Sequence, residues 1–187
     1  MSNTSKSPET KVITGKVRFS YPHVWEASAM NEGETPVYSV SLLIPKSDTK
    51  TIAKIKKAIE AAKQIGKNTV FGGRIPANLK TPLRDGDEEK PDKKEYEGCY
   101  FVNATSRTRP GVVDINRDPI TVKEDFYPGC YGIASLNFFP YNKKGIGISA
   151  GLNNLMKTAD GESLGGRQSA EDDFANVEIP EEADGLL

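Results

Sequence analysis

The sequence predicts a small β-barrel or sandwich plugged by a single helix. About six segments alternate apolar and polar residues at the two-residue period of a strand, and only one segment changes to the helical period. The length of 187 residues suits one ordinary domain and is short for two.

The elements follow in chain order. Ile13, Val17, Phe19 and Tyr21 mark a first half-buried strand, with Lys16 and Arg18 as its basic outer face. Tyr21 to Trp25 then either cap the barrel or add a stacking platform, with Trp25 anchored in the core and His23 a surface or turn residue. Tyr38, Val40, Leu42 and Ile44 repeat the alternation until Pro45 ends it. After Ser47 or Asp48 as N-cap, Ile52, Ile55, Ile59, Ala62 and Ile65 recur at helical spacing, and Gly66 supplies a left-handed stop. Lys50, Lys54, Lys57 and Lys63 turn outward as a solvated face. Residues 72–95 have no period and are punctuated by Gly72, Gly73, Pro76, Pro82, Gly86 and Pro91. Their mixed charges (Arg84, Asp85, Asp87, Glu88, Glu89, Lys90, Lys93, Lys94) suit a mobile flap better than a phosphate clamp. Strands resume over 96–107, 112–115 and 129–141, and a last one over 146–152 follows the Lys143-Lys144-Gly145 hairpin turn.

Charge divides the chain. The last twenty residues hold seven carboxylates (Glu171, Asp172, Asp173, Glu178, Glu181, Glu182, Asp184) and no Lys or Arg, so the remainder carries 25 basic against 19 acidic residues. The expected organisation is a flexible arm over 1–10, a folded domain over 11–158 and an acidic flexible tail over 159–187. A polyanion offered to the basic body must compete with that tail, and nucleic acid is the first to consider. No run of membrane-span length and no signal peptide is visible, which gives an expectation of a cytoplasmic protein without a membrane partner. Cys99 and Cys130 lie in apolar segments and read as small buried hydrophobes.

Two strands carry outer faces that are unusual for a plain barrel. Along 129–141 one row is Cys130, Ala134, Leu136 and Phe138, while the other is Tyr131, Ile133, Ser135, Asn137, Phe139 and Tyr141, ending beside Lys143 and Lys144. Along 96–107, Tyr100, Val102 and Ala104 face inward and Phe101, Asn103, Thr105 and Arg107 outward, with Arg109 following. Rings interleaved with amides, hydroxyls and cations suit a surface where bases stack and phosphates are neutralised without sequence being read. The candidate stacking residues are Phe101, Tyr131, Phe139 and Tyr141. The candidate polar and phosphate contacts are Lys16, Arg18, Asn103, Thr105, Arg107, Arg109, Lys123, Lys143 and Lys144. Packing of the same rings under the helix or the flap is the structural alternative.

Chemistry is harder to find. One histidine, no Gly-rich phosphate loop and no nucleophile beside a base leave no catalytic residue and call for no cofactor or metal. The carboxylates Asp114, Asp118, Glu124 and Asp125 are grouped as in metal nucleases, but Pro119, Arg117 and Lys123 among them favour a hairpin-rim turn.

The segments VRFSYPHVWE, YSVSLLIPK, YFVNATSRTRPGVVD, FYPGCYGIASLNFFPYN, KKGIGISAGLNNLMK and GGRQSAEDDF resemble a family of bacteriophage single-stranded DNA-binding proteins, over roughly residues 12–174. The resemblance implies an OB-fold of five to six strands that coats and protects single-stranded DNA in phage replication or recombination, inside the bacterial host. It also implies a C-terminal tail, here Glu171, Asp172, Asp173, Phe174, Glu178, Glu181, Glu182 and Asp184, that regulates access of DNA and recruits replication or recombination proteins. Two departures stand out: the helix follows only two clear strands, where the usual OB order places it after three, and the chain finishes on Gly185-Leu186-Leu187 rather than an aromatic residue. A strand-annealing mediator, an interaction or virion module and, last, a metal nuclease are the alternative roles.

Overall fold

In the computed structural model, which describes residues 9–29, 31–165 and 174–178, eight strands join in one sheet. The order is β1 (Lys11–Ile13), β2 (Val17–Ser28), β3 (Val37–Pro45), α1 (Thr49–Asn68), β4 (Arg84–Asp85), α2 (Gly86–Glu89), β5 (Cys99–Ser106), β6 (Gly111–Val113), β7 (Tyr131–Asn142) and β8 (Ile146–Ala159). Five of the strands close a ring, β2–β3–β5–β8–β7 and back to β2. Every pair in the ring is antiparallel except β5 with β8, where Ala104 lies opposite Ala150. This is the Greek-key barrel of an OB-fold, with β1, β4 and β6 as short additions. The strand count therefore exceeds the sequence expectation while the barrel itself agrees with it.

The helix lies between the second and third strands of the ring, so the topology is a variant of the usual one and no ring strand was overlooked. Asp48 caps it, its carboxylate accepting from the Thr51 N–H (3.1 Å) and hydroxyl (2.6 Å). Ile52, Ile55, Ala58, Ile59 and Ala62 complete the barrel core, whereas Ile65 is largely exposed. Gly66 is not the stop, because α1 runs on to Asn68. A Cβ there would sit 2.3 Å from the Phe71 ring and 2.8 Å from Pro140, so the glycine permits close packing where the helix ends.

Two phase slips explain the other differences near the N-terminus. β1 and β2 follow one another along the same edge of β7, separated by Thr14–Lys16, where the Thr14 hydroxyl accepts the Ala134 N–H (3.0 Å). Crossing that break shifts the inward set from Val12 and Thr14 to Val17 and Phe19, and leaves Ile13 outside. A bulge in β2 then turns Tyr21 outward: Ser20 pairs with Ser41 and His23 with Ser39, so one β2 residue is extra. At the other end β8 extends to Ala159, well past Leu152, because a bulge at Asn153 shifts its buried set from Leu152 to Leu155.

A second, smaller core lies outside the ring. Residues 79–97 fold back over β3 and β5, and Tyr96 covers Leu43 and Phe101, with its ring edge-on to Phe101 at 5.2 Å. The segment is pinned by Lys46, whose ammonium reaches Asp85 (2.9 Å) and Asp87 (2.7 Å). Those hydrogen bonds hold both carboxyls below their ordinary pKa and raise that of the lysine. The flap thus contains β4, α2 and a turn of 3₁₀ helix at Lys94–Tyr96. Among the described residues, no helix is long and apolar enough to cross a membrane.

Candidate nucleic-acid interface

The outer face of the ring's second and third strands, β3 and β5, is the surface on which OB barrels take oligonucleotides, together with the loops joining strands one to two and four to five. Strand pleating and register set what it offers here. Ser41 faces Asn103 across β3 and β5, Ser39 faces Thr105, Thr105 faces Gly151 on β8, and Gly151 faces Asn137 on β7. The result is a band of hydroxyls and amides running around the barrel. Beside it on β7 stand Phe139, 41% exposed, and Tyr141.

Both rings lean on glycines of β8. Tyr141 lies across from Gly147, where a Cβ would come within 2.6 Å of its hydroxyl, and Phe139 reaches over Gly151, where a Cβ would be 3.4 Å from the ring. The flap supplies the opposite wall, since the Lys80 carbonyl accepts the Ile148 N–H (2.8 Å) and β4 pairs with β5 at Phe101 and Tyr100. It fills the gap left where β5 and β8 diverge beyond Ala104 and Ala150.

Three hollows of about 800, 400 and 440 Å³ adjoin on this face and share lining residues: Asn103 joins the first two, Thr105 the last two, and Phe139 the first and third. They form one groove. Its cations are Lys80 and Arg84 in the first hollow, Lys90 and Lys93 in the second and Arg107 in the third, with Lys143 and Lys144 on the β7–β8 hairpin just beyond Tyr141. Arg84 is neutralised by Glu89 (2.6 Å), and the others carry no ion pair among the described residues.

Of the sequence candidates, Asn103, Thr105, Arg107, Phe139, Tyr141, Lys143 and Lys144 come together in or beside the groove. Phe101 borders the second hollow but offers no free face to stack on: it is 0% exposed, sealed by Tyr96 and crossed by the Arg84 guanidinium at 4.9 Å, because the flap covers the outward row of β5 at this position. Tyr131 stands at the opposite end of β7, about 26 Å from Phe139 at strand spacing. Lys16 and Arg18 lie over its ring at 5.0 and 5.4 Å, so these three form a separate patch. Arg18 there donates to the carbonyls of Gly129 (3.1 Å) and Glu162 (2.7 Å), tying down the chain as it leaves the barrel. Arg109 lies over Trp25 at 5.3 Å, and Lys123 pairs loosely with Glu26 at 3.4 Å.

The acidic cluster is turn chemistry, as its sequence indicates. The Asp114 carboxylate accepts the N–H groups of Asn116 (2.8 Å) and Asp118 (3.0 Å), and Arg117 adopts φ +68°. Both cysteines are free, Cys130 buried and Cys99 partly so, and burial raises both thiol pKa values. Of the tail residues, Phe174 and Glu178 are exposed, while Glu171, Asp172, Asp173, Glu181, Glu182 and Asp184 lie outside the described residues. Sequence reasoning missed Lys80, Lys90 and Lys93 as groove residues and left Tyr21 undecided. Their signal was hidden in a loop of mixed charge and in a bulge.

Comparison with known proteins agrees with this fold. The family model described as "Enterobacter phage Enc34, ssDNA-binding protein" matches residues 10–185. Protein p50 of Acyrthosiphon pisum secondary endosymbiont phage 1 is 30% identical over 185 residues, spanning 94% of this chain and 98% of its own. The single-stranded DNA-binding protein from bacteriophage Enc34, solved in complex with ssDNA, is 31% identical with a TM-score of 0.73 over 83% of this chain and 90% of that one. At 18% identity, gp2.5, a single-stranded DNA-binding protein encoded by bacteriophage T7, shares the fold, with a TM-score of 0.59 over 90% of this chain and 94% of its own.

Proposed function

The chain belongs to the ssDNA-binding protein family of Enterobacter phage Enc34, and on that premise we propose that it coats single-stranded DNA without reading sequence during phage replication or recombination, in the cytoplasm of the bacterial host. The observation that carries this reading is the continuous groove on the β3–β5 face, where two ring platforms on glycine seats stand beside cations that, Arg84 apart, have no ion-pair partner among the described residues. Phe139 and Tyr141 stack bases, which every base permits because every base has a π-face. Asn103, Thr105 and Asn137 meet base edges or sugars, and Lys80, Arg107, Lys143 and Lys144 follow the phosphates. Nothing in this mechanism makes or breaks a covalent bond.

The test is fluorescence anisotropy with single- and double-stranded oligonucleotides of one length across a salt series. Single strands bind tighter at every salt concentration, since a duplex offers no base faces for stacking. Equal affinity for both forms would remove stacking from the mechanism.

The acidic tail is the second part of the proposal. Its seven carboxylates compete with DNA for the groove cations, and when DNA displaces them the tail becomes available to replication or recombination proteins. Deleting residues 168–187 tightens binding at low salt, and unchanged or weaker binding would refute the competition.

A further inference from the structure

Tyr21 breaks a backbone rule. Its φ is +47°, in the left-handed region that a bulky side chain enters only at an energetic cost, and such outliers concentrate at ligand sites. The β2 bulge holds it there and leaves the ring 50% exposed at the mouth of the 400 Å³ hollow. Inside that hollow Ser39, Asn103, Thr105 and His23 make no side-chain hydrogen bond to the described residues, although all can donate or accept. The Lys93 ammonium sits at the hydroxyl edge of the Tyr21 ring, 4.4 Å from its centroid, and donates to the tyrosine hydroxyl.

A flat aromatic face, polar groups with unused hydrogen-bonding capacity and a cation on a flexible stem match the three parts of a nucleotide. An apolar ligand would leave the amide and hydroxyls unpaired. Resting on the proposed single-strand binding, we infer that this hollow is a discrete nucleotide subsite, distinct from the Phe139–Tyr141 platform. One base of the strand stacks on Tyr21, its edge meets Asn103, Thr105 and Ser39, and Lys93 swings off the ring to take a phosphate. The strain at Tyr21 is what places the ring at the mouth.

Tyr21→Gly separates function from folding, because it removes the ring and relieves the positive φ together. The full-length variant is expected to melt at the wild-type temperature or above, yet to bind a thymidine oligonucleotide roughly 5- to 100-fold more weakly. Tyr21→Phe keeps the ring and the affinity. Ultraviolet cross-linking of the wild type to an oligonucleotide bearing halogenated deoxyuridine is expected to place an adduct on Tyr21. If Tyr21→Gly binds within twofold of the wild type, or no adduct maps to Tyr21 while the oligonucleotide binds, the subsite is wrong and the broader single-strand reading survives. If thymidine monophosphate added before irradiation suppresses formation of the adduct and Tyr21→Gly leaves oligonucleotide affinity unchanged, the hollow serves free nucleotides and the assignment to the strand fails. A wild-type chain that binds no single strand would overturn both readings, and that control distinguishes the two failures.

Discussion

The groove cations make a quantitative claim on salt dependence. Six of them, Lys80, Lys90, Lys93, Arg107, Lys143 and Lys144, lie in or beside the groove without an ion-pair partner among the described residues, while Arg84 is already held by Glu89. Each phosphate neutralised on a single strand contributes about −0.7 to the slope of log affinity against log salt. If all six engage, the slope is about −4, and affinity falls roughly 300-fold between about 50 and 200 mM salt. Replacing both Lys143 and Lys144 by alanine should flatten the slope by about 1.4. Replacing Lys16 and Lys123 instead should leave it unchanged, since one sits over Tyr131 at the far end of β7 and the other beside Glu26.

The assay is anisotropy titration with an oligonucleotide short enough to hold one molecule, repeated at five or more salt concentrations on the full chain. Parallel lines for the wild type and the Lys16/Lys123 variant, and a shallower one for the hairpin variant, are expected. A wild-type slope weaker than about −1, or a Lys16/Lys123 variant that flattens the line as much as the hairpin variant does, would refute the placement of the phosphate track.

Three further outcomes follow from particular contacts. Phe139→Ala should weaken single-strand binding by about 1–3 kcal/mol with little change in melting temperature, whereas Phe101→Ala should cost about 3–5 kcal/mol of stability because that ring is enclosed, a contrast that calorimetry and titration on the same samples resolve. Gly147→Ala should displace Tyr141 and lift the flap, since a Cβ there meets both the Tyr141 hydroxyl and the Lys80 carbonyl (2.8 Å); weaker DNA binding with unchanged far-ultraviolet dichroism is the expected pair of readings. Because folding depresses the Asp85 and Asp87 carboxyls, their anchoring of the flap is complete above about pH 4 and is lost as pH falls through their lowered values; amide exchange over residues 84–101 should rise there in the wild type and already be raised near neutrality in Lys46→Ala.

What the sequence made legible was whatever depends on local period. The two rows of β7 come out as read, with Ala134, Leu136 and Phe138 buried and the odd positions outside, and the buried stripe of α1, apart from the exposed Ile65, and the Lys143–Gly145 hairpin come out likewise. Errors gather where one inserted residue reverses the phase, at Thr14–Lys16, at Tyr21 and at Asn153, because alternation carries no warning that its sign has changed. Phe101 shows a different limit. Its side of β5 was read correctly, but Tyr96, which alternation reads as the start of the same strand, lies instead in the 3₁₀ turn at Lys94–Tyr96 and folds back over the ring, a reversal that no two-residue period announces.

The mixed charges of that same segment acquire meaning only after folding. Asp85 and Asp87 turn to Lys46 on one side, and Glu89 holds Arg84, so three of the acids that offset the loop's basic residues on paper are engaged in anchoring it. Lys80, Lys90 and Lys93 are left facing the groove. A segment that is nearly neutral by composition therefore delivers net positive charge to one wall, and it does so only while docked between the diverging ends of β5 and β8. Sorting the charges and shaping the groove are one event, which is why contacts far from any base, such as that of Lys46, belong to the physics of binding as much as the rings do.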